Sequence, residues 1–596
     1  MAAAPSITPR RWLILASAGL MVVTFAQRFG ETIYLFRIDR VLDPIRMAAR
    51  NLELWNPWWD MGSVQVQTVG YWLPIDLTFG VGAMLGIPTW VVERLFIGAL
   101  FAIGLWGVVR LADVLRIGTP VTRLLAGFAY VLTSVIMTRI GQQSVWGMGA
   151  VFAPWTIVPL VNGARGGSPR RAAARSAVAI ALMGGANAAV IFAVLPAPLL
   201  YLLTRQRGPR RASLIRWWVL AIVAAMAIWL PALYFFARYG PNILDYTETV
   251  ATTVNPTGLV DVLRGTADWL GRLAIPTVAL PSGNTLATRA LPIAATALIA
   301  AVGLGGLAGR RLPERRFLVG LLVIGVMAVG GAHGGLLGNP LTDAYRSLLD
   351  GTLGAFRNVY KFQPLVTLPL MLGVAHALTR ASSSRWLIPR VRSTTAVAVA
   401  AAAVIAAAAM PLWTNTFTRG PGFSEIPPAW EDARQWLADR DDQGRVLALP
   451  GMGEAELSWG YLRQLPIQWG ADITWATRHQ APLGGPGAIE VLDAVERAVV
   501  RGGDPSLAVF LRRAGFAHVL VTTDYDPPLF NAPDPLTITS ALQRSGLSRV
   551  AGFGEDAYTD PVFGGLAVSL IFGTFASTAL TLVVIPLMYY LWQRKT

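Results

Sequence analysis

Long apolar runs alternate with short polar connectors over the first 411 residues. The stretch WLILASAGLMVVTFA (12–26) carries no charge, and comparable runs recur at 92–113, 121–140, 148–163, 173–187, 189–203, 214–236, 288–308, 317–335, 363–380 and 392–411. About 20 apolar residues make a helix that crosses the hydrocarbon core, and fewer suffice inside a bundle. Counting 12–28 as the first and 562–592 as the last, the pattern predicts about twelve spans. The connectors RIGTPVTR (116–123), ARGGSPRRAAAR (164–175), TRQRGPRRASLIR (204–216), GRRLPERR (309–316) and TRASSSRWLIPRVR (379–392) are rich in arginine. Cytoplasmic loops carry such an excess.

With Arg10 and Arg11 inside, all five connectors fall inside on two conditions. Residues 71–88 must not cross, and 173–203 must cross twice with a break near Gly184–Asn187. Segment 71–88 holds Pro74, Asp76 and several glycines, which suits a re-entrant or interfacial element. The closing WQRKT then also lies inside. The expected location is the plasma membrane, multi-pass, with both termini cytoplasmic and segments 29–91, 237–287, 336–362 and 412–561 outside.

Past residue 420 the pattern changes: charges return and apolar runs shorten. PPAWEDARQWLADR, IEVLDAVERAVV and PSLAVFLRRAG read as helices, and RVLALPG and HVLVTTD as buried strands. Alternating strands and helices predict a small α/β domain. The fold class expected is therefore a polytopic α-helical membrane protein with a small α/β soluble domain on its outer face. Its parts are a transmembrane domain at 1–411, an extracytoplasmic domain at 412–556 and a closing helix at 557–596. That last segment looks like the closing helix of resistance-nodulation-division transporters, a fusion or an anchor.

Composition supports lipid solvation: 54% of residues are hydrophobic, 14% charged, and mean hydropathy is +0.50. An ordinary soluble domain carries about 25% charged residues. The net charge of +16 lies largely in the connectors, so it reports topology and not nucleic-acid binding. Cysteine is absent, which excludes disulfides and thiolate metal sites. The four histidines (333, 376, 479, 518) are scattered, which argues against a histidine metal site. No Walker spacing or nucleophile elbow is present.

The candidate chemistry sits in the outer segments. Asp39 and Asp43 are four apart and would share a helical face beside the membrane. A carboxylate there could take the proton of an acceptor hydroxyl in glycosyl transfer. Equally, Asp39 could pair with Arg37 or Arg40, and Asp43-Pro44 could cap a helix. Trp58 and Trp59 could stack a sugar or anchor the chain at the interface. Asp245 and Glu248 lie three apart with Arg264 beyond, as acids or sugar ligands beside a phosphate-binding arginine, or as ordinary ion pairs. Arg357 and Lys361 would share a face at headgroup level, to hold a lipid phosphate or to snorkel.

Several of these stretches together resemble one family, the AftD-type membrane α-(1→3)-arabinofuranosyltransferases. They are IDRVLDP, LWNPWWDMGSVQVQTVGYWLP, PTWVVERL, RLLAGFAYVLT, GPNILDYTETVATTVNPTGLVDVLRGTADW, LPERRFLVG, FRNVYKF and GAIEVLDAVERAV, in family order. The resemblance implies a GT-C bundle and transfer of arabinofuranose from a polyprenyl-phosphate-linked donor, decaprenyl-phosphoryl-arabinofuranose. The acceptor would be a cell-wall arabinan or arabinogalactan. It implies Asp39 as general base with Asp43 in support, Glu248 and Asp245 (D-Y-x-E) as a second acidic pair, and Arg357 and Lys361 on the phosphate. No cofactor is implied, and a divalent metal is left open. The chain departs from the family pattern at Leu35, where a further acid is usual, and at Tyr360-Lys361-Phe362-Gln363-Pro364, where the family has HKFDP. The family's long carbohydrate-binding C-terminal half has no counterpart expected within these 596 residues. These departures leave a second reading, a non-catalytic paralogue or a lipid-linked carbohydrate transporter that kept the fold.

Overall fold

The computed structural model describes residues 7–554 except 34, 36–37, 65–67, 228, 240–242, 275–277, 336–339, 384–393, 441–443, 452–454, 463–464, 470–472, 480–483 and 528–531. The closing segment 557–596 lies outside the described residues.

Apolar runs become helices because lipid offers the backbone no hydrogen-bonding partner. Among the described residues four helical runs are long and apolar enough to cross a membrane: Thr89–Leu115, Ser144–Ala164, Ala290–Ala308 and Val359–Ser382. Two bent pairs raise this to six, Pro120–Val131 with Ser134–Gln142 (52°) and Pro209–Ala227 with Leu230–Tyr239 (62°). Other expected spans are shorter. Arg10–Phe25 and Arg315–Gly330 have 16 residues each, about 24 Å of helix at 1.5 Å per residue. The stretch 173–203 is indeed interrupted, with helices Pro169–Ala181, Ala188–Val194 and Pro196–Leu203 on either side of the glycine-rich break. Residues 71–88 form no span: a short distorted helix, Trp72–Asp76, runs into Leu77–Met84. The Gly70 carbonyl accepts from the Gly185 N–H at 2.9 Å, so this element is tied to the same break.

The second unit is α/β. Arg445–Leu449 lies between Trp475–Ala476 and Phe516–Val521, parallel to both. Helices Pro428–Ala438, Pro486–Val500, Leu507–Arg513 and Pro535–Arg544 accompany the sheet. Arg445–Leu449 is buried as expected of a central parallel strand. Phe516–Val521 is mostly half-buried, because it has a strand on one side only.

This domain is not closed by its own residues. The Asp60 N–H donates to the Trp475 carbonyl at 3.0 Å, and the Trp475 N–H donates to Trp58 at 2.8 Å. The first loop thus adds a parallel bridge on the free edge of Trp475–Ala476. Thr32 and Phe423 exchange both backbone hydrogen bonds, at 2.8 and 3.0 Å. The expected boundary at 411/412 therefore cuts through a hydrogen-bonded unit that includes part of segment 29–91.

Candidate active site

Three segments meet, the first two about twenty residues apart and the third about ninety further along the chain. The first is the Asp245–Glu248 turn, where Ile243–Tyr246 is a 3-10 turn and Thr249 caps Val250–Val254. The second is Asp268–Trp269, and the third is Arg357–Lys361, just before the Pro364–Ser383 helix. Asn358 binds them together: its side-chain amide donates to the Glu248 carboxylate, and its Oδ1 accepts from Trp269 Nε1 at 2.8 Å. Arg357 donates to the Glu248 backbone carbonyl at 2.9 Å. Lys361 is buried, donates to the Ala355 carbonyl at 3.1 Å, and holds its ammonium 5.4 Å from the Trp146 ring centre. Glu248 attracts that ammonium while Arg139 and Arg357 repel it.

Behind this turn is a pair that the loop motifs gave no sign of. Arg139, fully buried on Ser134–Gln142, forms an ion pair with Asp268 and donates to Gln143 Oε1 at 2.7 Å. Its guanidinium lies 4.3 Å from the Tyr360 ring centre and 5.2 Å from that of Trp146. Burial pushes the Asp268 carboxyl above its ordinary range, and the adjacent Arg139 opposes that shift. A polar residue inside an apolar run, Arg139 at mid-helix, was the available signal. The chain has 48 arginines and only two lysines, Lys361 and Lys595, which sets Lys361 apart from the other cations.

Of the expected site residues, Glu248, Arg357 and Lys361 come together. Asp245 is exposed on the preceding turn, and Tyr246 next to it lies under the Arg478 guanidinium at 5.3 Å, so this loop touches the α/β domain. Arg264 does not join the cluster. Its nitrogens are spent on Thr296 Oγ1 (3.0 Å), the Leu286 carbonyl (2.7 Å) and Asp261 (3.2 Å), and burial lowers its affinity for the proton. It clasps Leu259–Arg264 to the bundle.

The first loop also differs from expectation. Asp39 and Asp43 share no helical face, because Asp39–Leu42 ends before Asp43, which caps Pro44–Arg50 by accepting from the Arg46 N–H at 3.2 Å. The Asp39 side chain lies outside the described residues. Trp59 is core: it meets Trp475 edge to face at 5.8 Å, with its indole N–H on Ser63. A buried ring offers no face to a sugar. Trp58 is half-buried under Arg50, 4.8 Å away. Leu35, where the family pattern has an acid, is buried in the apolar core. Two buried polar sets hold this loop in place. Asp76 receives Arg40 Nε at 2.9 Å and Asn51 Nδ2 at 2.5 Å, while Arg94 donates to the carbonyls of Gln27, Arg28 and Glu31 at 2.8–3.0 Å. Among the described residues no group of three or more His, Asp or Glu could hold a metal ion.

Apolar helices around a carboxylate–cation cluster, with an α/β domain joined to the first loop, place the chain in the class of helical membrane proteins that carry a small soluble unit. The chain belongs to the alpha-(1->3)-arabinofuranosyltransferase family, in the region of that family's N-terminal GT-C domain, whose sequence model matches residues 19–569. It is 35% identical over 555 residues to an alpha-(1->3)-arabinofuranosyltransferase of Mycolicibacterium smegmatis, covering 91% of this chain and 39% of the relative. The corresponding Mycobacterium tuberculosis protein is 34% identical over 578 residues, 93% of this chain and 41% of the relative. The chain thus spans about two-fifths of the length of these curated relatives. The cryo-EM structure of the arabinofuranosyltransferase AftD from Mycobacteria superposes with a TM-score of 0.76 at 33% identity, over 92% of this chain and 38% of that one.

Proposed function

We propose that this chain transfers an arabinofuranosyl residue from decaprenyl-phosphoryl-arabinofuranose to a cell-wall arabinan acceptor, at the outer face of the plasma membrane. The observation that carries this reading is the convergence of Glu248, Arg357 and Lys361 at one place. With Arg139 and Asp268 the cluster holds three cations and two carboxylates, one net positive charge. The donor is a phosphodiester with one negative charge, and cleavage leaves a phosphate monoester with more. Cations beside the leaving oxygen therefore gain attraction as the bond breaks, which lowers the barrier and not merely the binding energy.

The acceptor hydroxyl oxygen attacks the anomeric carbon, and the carbon–oxygen bond to phosphate breaks with its electron pair staying on phosphate. The hydroxyl proton passes to a carboxylate, for which Asp39 is the candidate base. Glu248 holds the cation cluster in register, and Asp245 is the candidate for contact with the sugar. In this reading about twelve spans keep the arginine-rich connectors and both termini cytoplasmic. The α/β domain and the first loop then form the outer vestibule.

The test is transfer from synthetic decaprenyl-phosphoryl-arabinofuranose in proteoliposomes. Asp39→Asn and Glu248→Gln should each lose at least about 100-fold in kcat. Full transfer by Asp39→Asn would remove it as the base. No transfer by the unmodified chain with several arabinan acceptors would favour a non-catalytic paralogue.

A further inference from the structure

Resting on that reading, we propose that Arg139, held by Asp268, is a positioning residue that aims the Lys361 ammonium at the donor phosphate. A buried ion pair gives little net stability, because desolvation offsets most of its attraction. What this pair does supply is a fixed flat surface. The guanidinium lies 4.3 Å from the ring centre of Tyr360, the residue next to Lys361, and 5.2 Å from that of Trp146. Those two rings stack on each other at 6.1 Å, and Trp146 also faces the Lys361 ammonium at 5.4 Å. Arginine, two aromatic rings and lysine thus form one contiguous stack, anchored at its far end by Asp268 and Gln143.

The turn that carries Lys361 has other attachments as well. Asn358 and Arg357 secure the same turn to Glu248, and Trp269, next to Asp268, reaches Asn358 as well. Residues 268–269 therefore brace the turn twice, once through Asn358 and once through Arg139. The bend of 52° between Pro120–Val131 and Ser134–Gln142 gives the Arg139 helix its own direction. Lysine could replace the charge of Arg139 and still attract one ring, but it has no planar face to stack against Tyr360 and Trp146 together.

The experiment uses the full chain in nanodiscs, with Arg139→Lys, Arg139→Gln and Asp268→Asn. Four quantities are measured: kcat and donor KM for transfer, the thermal midpoint, and the rate at which an amine-reactive ester acylates Lys361, read by peptide mass spectrometry. With so few lysines the labelling is unambiguous. Arg139→Lys should keep a thermal midpoint near that of the parent. Its kcat should fall about ten-fold with donor KM within about three-fold, and Lys361 should acylate several-fold faster. Parental kcat and labelling in Arg139→Lys overturn the proposal. So does a loss of activity that tracks stability across the variants with labelling unchanged. If both Arg139 variants fail to fold, the near-isosteric Asp268→Asn decides by the same labelling rate. A parent chain that transfers nothing refutes the function proposed above, while the labelling comparison still decides the role of Arg139.

Discussion

Asn358 donates its side-chain amide to the Glu248 carboxylate, across 110 residues of sequence. The contact joins the D-Y-x-E turn to the lysine-bearing turn, and its other end is held by Trp269. Asn358→Ala removes both bonds and leaves a half-buried carboxylate short of a donor. We expect a loss of about ten-fold in kcat with donor KM little changed, read from transfer kinetics. Asn358→Asp places a second carboxylate against Glu248 and should be worse.

Arg357 and Arg264 should separate cleanly. Arg357 lies in the cation cluster, so Arg357→Ala should raise donor KM by about ten-fold or more. Arg264 clasps Thr296, Leu286 and Asp261, so Arg264→Ala should lower the thermal midpoint and leave donor KM of the folded fraction unchanged. Differential scanning fluorimetry beside the transfer assay distinguishes the two.

Asp43 caps a helix. Asp43→Ser keeps a capping oxygen and should retain transfer, whereas Asp43→Ala should cost about 1 kcal/mol of local stability. A loss of transfer in Asp43→Ser with a normal thermal midpoint would assign Asp43 a chemical role.

Trp59 and Trp58 should also differ. Truncating buried Trp59 to alanine opens a cavity against Trp475 and should destabilise the α/β domain by about 3–5 kcal/mol. Limited proteolysis would show this as accelerated cleavage within residues 421–554. Trp58→Ala, at a half-buried ring, should cleave near the parental rate.

Glu496 offers a pH test. It is half-buried in the α/β domain, accepts from the Gly451 N–H at 2.8 Å, and partial loss of solvent holds its carboxyl above the ordinary range. An acid raised in the folded state costs nothing at low pH, where it is protonated folded and unfolded alike. The cost appears as pH climbs past the unfolded value towards the folded one. Glu496→Gln keeps the acceptor and sheds the charge, so it should raise the thermal midpoint by about a degree or two at pH 8 and by nothing at pH 4. Lower stability of Glu496→Gln at pH 8 would contradict this account.

Local patterns carried much of this. Arg357 and Lys361 drew notice from a short polar stretch at the mouth of an apolar run, and Glu248, in the middle of an outer segment, from its D-Y-x-E match to the family. Asp43 was legible as an alternative, since Asp-Pro before a helical run signals a cap. The fate of Arg264 and Trp59 was not, because an arginine or tryptophan carries the same local signature whether it faces a ligand or a core. Which one it faces depends on partners such as Leu286 and Trp475, far away in the chain.

The sequence by itself determined that this chain folds in lipid, where helices begin and break, and that a smaller α/β unit follows, because hydropathy and backbone satisfaction are local in origin. The joining was decided only in three dimensions. Residues 58–60 extend the sheet of a domain that begins hundreds of residues later, and Asp268 reaches Arg139 on another helix. Such pairings rest on burial of charge and on unpaired strand edges, whose energies exist only once distant segments have met.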